Sequence, residues 1–455
     1  MKLALIGGGG IRGPLFVESL LGRQKRSGRE LITELCLHDV QPRRLDVIGP
    51  FAKRLAEEAG SPLRITTTTD LVAALDGASH VVTTIRAGFE QGRIHDEKVS
   101  LACGCIGQET VGPGGFAMAI RAIPEVLHIA QTAARVAPGA WIINFTNPAG
   151  LLAQAMQDFG FRNSIGICDS SDTIARDTAF HFGVDHPRVT QRVFGLNHCS
   201  FTYEAAVDSA DRLGEMLAND DYMDAFMGIY EKSMLREFGL LPNEYLYYYF
   251  YPEAAYEAMR AETQTRGEQI LALNTRFFSG AWDDDHLRDI DEIRRLHDEL
   301  LGERSRTYMQ YAWEETAAGE RPKVKTDHGG EGYAGVALDF IEARSSDAPR
   351  RIVLNYLNGD AIPFFSAHDT AELTYEVSRD AIKPLGPSSV PPRVEELLRT
   401  VKYYENLTSL CARFPTRKAA LWALESNPLV HHAHKAERLL DGFIKSHGGV
   451  FERFA

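Results

Sequence analysis

A chain of 455 residues is longer than one hydrophobic core usually serves, so two closely packed domains are expected. Its 44% hydrophobic and 24% charged residues are those of a globular protein, and a formal net charge of -13 supplies no global attraction to nucleic acid or to an anionic membrane. No stretch approaches the roughly twenty apolar residues of a membrane helix.

Met1 to Ile6 runs into glycines too soon for a signal-peptide core. Six cysteines in so long a chain make no disulfide framework. A cytoplasmic protein is expected, in which a thiol is available as a metal ligand.

Lys2 to Ile6 is a short apolar run, followed by Gly7-Gly8-Gly9-Gly10, Ile11-Arg12 and Gly13-Pro14, then an apolar-periodic stretch from Leu15 to Leu21. Strand, glycine turn and helix in that order make the first unit of a dinucleotide-binding fold. Backbone without side chains can approach a pyrophosphate, which then rests on the helix N-terminus. Gly8, Gly10 and Gly13 satisfy the G-x-G-x-x-G spacing; alternatively Gly7 and Gly9 lead, with Arg12 in third place. The next apolar run, Glu34 to His38, ends at Asp39, where a carboxylate binds ribose and repels a 2′-phosphate. NAD is therefore expected over NADP.

Ala78 to Ile85 and Ala140 to Phe145 read as further strands, with helical spacing from Pro124 to Val136 between them. Strands alternating with helices imply a doubly wound parallel sheet of Rossmann type, whose ligands lie beyond the carboxyl ends of the strands. Asn147, just past a strand end and before Pro148, is placed to touch cofactor or substrate. Cys168 follows the short strand Ser164 to Ile167, and His198 follows Arg192 to Gly195, so both lie at strand ends. On spacing alone, a buried thiol and a hydrogen-bonded imidazole are the more ordinary reading of these two.

Beyond His198 the alternation weakens. Helical patterns over 220–238, 252–272 and 285–317 suggest a mainly helical α+β region, and 392–454 reads as helices packed back on the body. Asp283-Asp284-Asp285 reads as a solvated loop, and Arg321 to Lys325 as a surface connection. The division expected is 1–165 for the dinucleotide and 166–455 for metal, substrate and oligomer contacts.

Gly7 to Gly10, Gly107-Gln108-Glu109-Thr110, Gly112-Pro113-Gly114-Gly115, Asn144-Phe145-Thr146-Asn147-Pro148, Ile167-Cys168-Asp169 and Gly195-Leu196-Asn197-His198 occur in this order. So do Tyr245-Leu246-Tyr247-Tyr248-Tyr249 and Gly329-Gly330 through Tyr333. Over nearly its whole length the chain resembles glycoside hydrolase family 4, and within it the 6-phospho-β-glucosidase branch. The resemblance implies a lactate/malate dehydrogenase-like fold with a C-terminal extension. It also implies tightly held NAD, a divalent cation such as Mn²⁺, and a homodimer or homotetramer. The implied chemistry is transient oxidation at sugar C3, removal of the C2 proton and elimination of the C1 substituent.

By the same resemblance Cys168 and His198 bind the metal, and Tyr245, or failing it Tyr248, is the C2 base. Asp169 protonates the departing oxygen; a helix cap near Ser170 is its other reading. Gly7 to Gly10, Ile11, Arg12, Asp39 and Asn147 hold the dinucleotide. Arg93, Asn147 and His328 contact substrate, His328 standing where the family's segment has an arginine. The competing reading of the same Rossmann half is a sugar or hydroxy-acid dehydrogenase, which would release NADH stoichiometrically.

Overall fold

The computed structural model describes residues 1–314 and 332–455. Alternate residues of the first strands point to opposite faces. Leu3 and Leu5 of β1 (Lys2–Ile6) join the core on one side of the sheet, and Ala4 and Ile6 the core on the other. Leu35 and Leu37 against Cys36 repeat this in β2 (Glu34–His38). Strands apolar on both faces can only be central to a sheet covered on both sides. Each fully buried Leu, Ile or Val contributes about 1.5–3 kcal/mol before entropy is counted.

Six parallel strands follow from this pattern: β1, β2, β3 (Arg64–Thr68), β4 (His80–Thr83), β5 (Trp141–Asn144) and β6 (Ser164–Gly166). Their spatial order is β6-β5-β4-β1-β2-β3, the doubly wound arrangement expected, with its crossover point between β1 and β4. The connecting helices are α1 (Gly13–Ser27), α2 (Pro42–Glu58), α3 (Leu71–Leu75), α4 (Phe89–Ala102), α5 (Gly112–Val136) and α6 (Ala149–Asp158). Helix α5 begins at Gly112, twelve residues before the stretch read as helical, because its first turn is built of Gly112, Gly114 and Gly115 under an overlying loop.

Past β6 the chain forms α7 (Thr173–Phe182) and a β-hairpin, β7 (Val189–Leu196) and β8 (Cys199–Val207). It later returns to the first sheet. Arg350–Leu357 pairs antiparallel with β6, and Thr370–Val377 and Ile382–Leu385 follow, making nine strands in one sheet. The position 165/166 lies inside β6, and the second half of the chain supplies a third of this sheet.

Two long helical stretches are interrupted. Residues 220–238 form Asp220–Met227 and Lys232–Phe238; residues 252–272 fall in Pro252–Ala261 and Arg266–Gly280. The second break is set by Thr265, whose side chain caps the following helix in a reciprocal capping box with Glu268. Ile290–Arg306 and Gln310–Glu314 occupy the third stretch. The triple aspartate lies in the tight hairpin 282–287. Arg321 to Lys325 and His328 lie outside the described residues. All six cysteines are buried and unpaired. Among the described residues no helix is long and apolar enough to cross a membrane.

Candidate active site

A cavity of about 1020 Å³ runs along the carboxyl ends of the parallel strands. Gly7 and Gly10 enter it after β1, Asp39 after β2, Thr84 after β4, Asn147 after β5 and Cys168 after β6. One end is the glycine turn. A methyl added at Gly13 would stand 2.5 Å from the carbonyl oxygen of Gly8, so turn and helix can meet this closely only with glycine there. This favours the Gly8, Gly10, Gly13 spacing. Gly8 packs inward against β2, and Gly9 lies over the Asp39 carboxylate, leaving Gly7, Gly10, Ile11 and Arg12 to face the cavity. Asp39 accepts from the backbone of Gln41 at 3.0 Å and is itself part of the wall.

The other end holds Cys168, Asp169, His198 and Tyr245. His198 is the second residue of the two-residue connection between β7 and β8, at φ 61°. Its Nε2 lies 3.3 Å from Cys168 Sγ. One cation bound to both atoms at ordinary lengths, about 2.3 Å to sulfur and 2.1 Å to nitrogen, needs them about 3–3.5 Å apart. The pair therefore fits a single metal ion. No third His, Cys, Asp or Glu joins them among the described residues, so the remaining positions are open to ligand oxygens. Burial pushes the His198 imidazole down to about 4, keeping it neutral and able to donate a lone pair. Burial, then Asp169 and Glu372, push the Cys168 thiol up to about 12. A bound cation would have to draw that proton off.

The two tyrosines separate. Tyr245 stacks on His198, with ring centroids 3.7 Å apart and planes 10° from parallel, and lines the cavity. Tyr248 is buried and shares a 2.7 Å hydroxyl contact with Tyr311, outside the lining. Burial, then Glu244 and Cys168, hold the Tyr245 phenol well above its ordinary value, and the hydroxyl of Tyr308 opposes them. Asp169 makes no side-chain cap; it accepts from Arg12 at 2.8 Å. Burial works against ionisation of Asp169, yet the guanidinium prevails and holds the carboxyl below its ordinary value. Arg12 also lies over the stacked rings of Phe145 and Tyr333.

Residues 2–181 match the Family 4 glycosyl hydrolase, and residues 193–430 match the Family 4 glycosyl hydrolase C-terminal domain. The chain belongs to glycoside hydrolase family 4. The 6-phospho-beta-glucosidase of Escherichia coli is 27% identical, over all of this chain and 97% of its own length. The 6-phospho-beta glucosidase from Thermotoga maritima, solved with NAD and glucose-6-phosphate, superposes with a TM-score of 0.80 at 25% identity over 98% of both chains. It has also been solved with manganese. Malate dehydrogenase from Plasmodium falciparum, at 12% identity and a TM-score of 0.51 over 91% of this chain and 99% of its own, shares the fold. The dehydrogenase-like architecture and the glycosidase family both stand as the sequence implied.

In this family 4 glycosidase Arg93 lines the cavity, but its guanidinium is held by Glu97 at 2.7 Å and Glu109 at 2.9 Å. Glu109 also pairs with Arg86. Burial opposes its charge, but Arg86 and Arg93 hold the Glu109 carboxyl down at about 2. Arg304 faces the same space with no partner for its guanidinium among the described residues. Burial, then Arg12, Arg86, Arg266 and Arg93, lower it to about 9. Sequence reasoning missed Arg86, Arg266, Arg304 and Tyr308, which nothing local marks. It also missed Ser170, Asn243 and the pair Gln108 and Thr110. Asn243 carried a readable signal: an Asn two residues before Tyr245 is placed to cap that segment, and it does so at 3.0 Å.

Proposed function

We propose that this protein is a cytoplasmic, NAD- and Mn²⁺-dependent glycosidase acting on 6-phospho-β-glucosides or a closely related glycoside. The observation that carries the reading is one cavity lined at one end by the glycine turn and Asp39 and at the other by the Cys168–His198 pair under Tyr245. When bound, the dinucleotide supplies a reversible hydride acceptor for the sugar C3, and the cation supplies a Lewis acid for the neighbouring oxygens.

The protein's own groups do the rest. Gly7, Gly10, Ile11 and Arg12 would receive the pyrophosphate, with Gly8 and Gly9 packed behind them to shape the turn. Asp39 would receive the ribose, and Asn147 on the cavity wall would touch cofactor or sugar. Cys168 and His198 hold the cation. Tyr245 removes the C2 proton, becoming an effective base only once a cation sits beside it, since burial alone keeps its phenol protonated. Asp169 holds a proton at the leaving oxygen once Arg12 turns from it to an anionic ligand, because burial then meets only the weaker opposition of Arg176 and a backbone hydrogen bond. Among the cavity's arginines, Arg266 and Arg304 have no carboxylate partner among the described residues, which supports an anionic substrate. Arg93, although paired with Glu97 and Glu109, is the second cation proposed for the phosphate. His328, outside the described residues, is proposed as a further contact only from the resemblance.

A homodimer or homotetramer belongs to the same reading. Tyr403 and Leu410 stand exposed on one face of the helix Pro392–Arg413, Phe414 is exposed just past its end, and Trp422 is exposed on the next helix. The deciding assay incubates the protein with NAD⁺, Mn²⁺ and a reductant, and compares p-nitrophenyl β-glucoside with its 6-phosphate. Nitrophenol release that needs both additions and favours the phosphate is expected. Steady NADH accumulation with free sugars, and no nitrophenol, would instead make it a dehydrogenase.

A further inference from the structure

The His198 ring has two nitrogens, and only one that carries no hydrogen can bind a cation. Nε2 is the one beside Cys168; Nδ1 lies 2.8 Å from the hydroxyl oxygen of Thr110. Where the Thr110 hydrogen points therefore decides which nitrogen is bare.

Gln108 supplies the answer. Its Oε1 accepts from the backbone N–H groups of Thr110 at 2.5 Å and Val111 at 2.9 Å. Two backbone donors aimed at one atom identify it as the amide oxygen, since the –NH₂ end cannot accept. The Thr110 hydroxyl lies 2.8 Å from that same oxygen and donates to it. Its single hydrogen thus spent, Thr110 Oγ1 offers His198 only lone pairs, and Nδ1 must carry the ring hydrogen.

The loop that makes this arrangement is itself fixed. The carbonyl oxygens of Gln108 and Thr110 come within 2.1 and 2.4 Å of where a Cβ would stand on Gly114 and Gly115, so the loop rests directly on the first turn of α5. All three side chains are more than nine-tenths buried.

We propose that Thr110, oriented by Gln108, is a positioning residue that sets the His198 tautomer and keeps Nε2 bare for the divalent cation. The inference rests on the reading of Cys168 and His198 as the cation site. The opposite arrangement, with Thr110 donating to Nδ1, would place the hydrogen on Nε2 and close that nitrogen to a metal. Outer hydrogen-bond partners of metal-bound histidines typically change affinity about 10–100-fold when removed.

The test uses the full chain, its Thr110→Val and Thr110→Ser variants, and two readouts that need no turnover. Nitrogen-15 spectra of histidine-labelled, metal-free protein report the tautomer directly, and calorimetric titration with Mn²⁺ alone reports affinity. Wild type and Thr110→Ser should show His198 with its hydrogen on Nδ1. Thr110→Val should lose that preference and bind Mn²⁺ about 10–100-fold more weakly, with NAD⁺ affinity unchanged as the check on folding. Equal Mn²⁺ affinity in wild type and Thr110→Val, or a wild-type spectrum with the hydrogen on Nε2, would overturn the assignment. If wild type bound no Mn²⁺ at all, the cation reading itself would fall, and the spectra would still decide for or against Thr110.

Discussion

The glycine turn gives the sharpest separation between folding and binding. At Gly10 an added methyl meets nothing nearer than the carbonyl oxygen of Gly7 at 3.4 Å, an ordinary contact. Gly10→Ala should therefore change stability by no more than about 0.4–1 kcal/mol, with reduced freedom of the unfolded chain as a gain. The methyl nevertheless occupies the face that lines the cavity. If backbone N–H groups there cradle a pyrophosphate, losing one charge-assisted contact costs about 1.5–3 kcal/mol, which is roughly 10-fold to 150-fold in Kd. At Gly13 the same methyl would lie 2.5 Å from the Gly8 oxygen and 3.2 Å from Ile48, so the turn must open. Overpacking of that kind costs about 1–3 kcal/mol, and Gly13→Ala should lower the melting temperature as well as NAD⁺ affinity. Thermal unfolding paired with NAD⁺ titration reads both. Wild-type NAD⁺ affinity in Gly10→Ala would refute the placement of the pyrophosphate, and an unaltered melting temperature in Gly13→Ala would refute the packing.

Tyr245→Phe keeps the stack on His198 but loses the hydroxyl, so kcat should fall about 10²–10⁴-fold with Mn²⁺ affinity unchanged. Tyr248→Phe loses only its bond to Tyr311 and should cost about 0.5–1.5 kcal/mol of stability, read by denaturant unfolding and steady-state kinetics. Glu109 titrates near 2 when folded and ordinarily at 4.5, so its ionised form is favoured by folding. Its contribution, about 3 kcal/mol, is full above pH 4.5 and lost as the pH falls toward 2; Glu109→Gln should flatten that part of the stability–pH curve. Glu372 accepts from Ser200 at 2.7 Å and from Asn197 and Asn355 at 3.0 Å in full burial. Replacing it by Gln leaves a buried donor unmatched and should cost about 1–3 kcal/mol, with weaker Mn²⁺ binding, because Asn197 and Ser200 flank His198.

What could be read from the sequence was local. A strand, a glycine turn and a helix occupy about twenty consecutive residues, so β1 and α1 announce themselves, and Asp39 follows because it ends the next strand. Cys168 and His198 were each legible as residues just past strands. Their approach to 3.3 Å was not, since it depends on how β6 and the β7–β8 hairpin cross. Charge pairing was still less legible. Glu109 is shared by Arg86 and Arg93 through packing of two loops on α4, and Arg12 finds Asp169 across 157 positions of sequence. Helix ends failed where periodicity ran through a cap, as at Thr265, or where glycines that look like a loop form a helical first turn, as at Gly112 to Gly115.

His198 also shows how the two halves of this chain depend on each other. A left-handed backbone at a histidine is uncommon and costs of the order of 1–2 kcal/mol. Something must hold the hairpin connection in that shape, and the groups on either side of His198 are both fastened to Glu372. Glu372 belongs to Thr370–Val377, one of the strands by which the second half returns to the first sheet. Thr110, on the loop before α5, fastens the ring itself from the opposite side. If His198 holds the cation as proposed, its backbone is fastened through residue 372 and its ring through residue 110, so cutting the chain between the halves should remove cation binding even if the glycine turn still takes up NAD⁺.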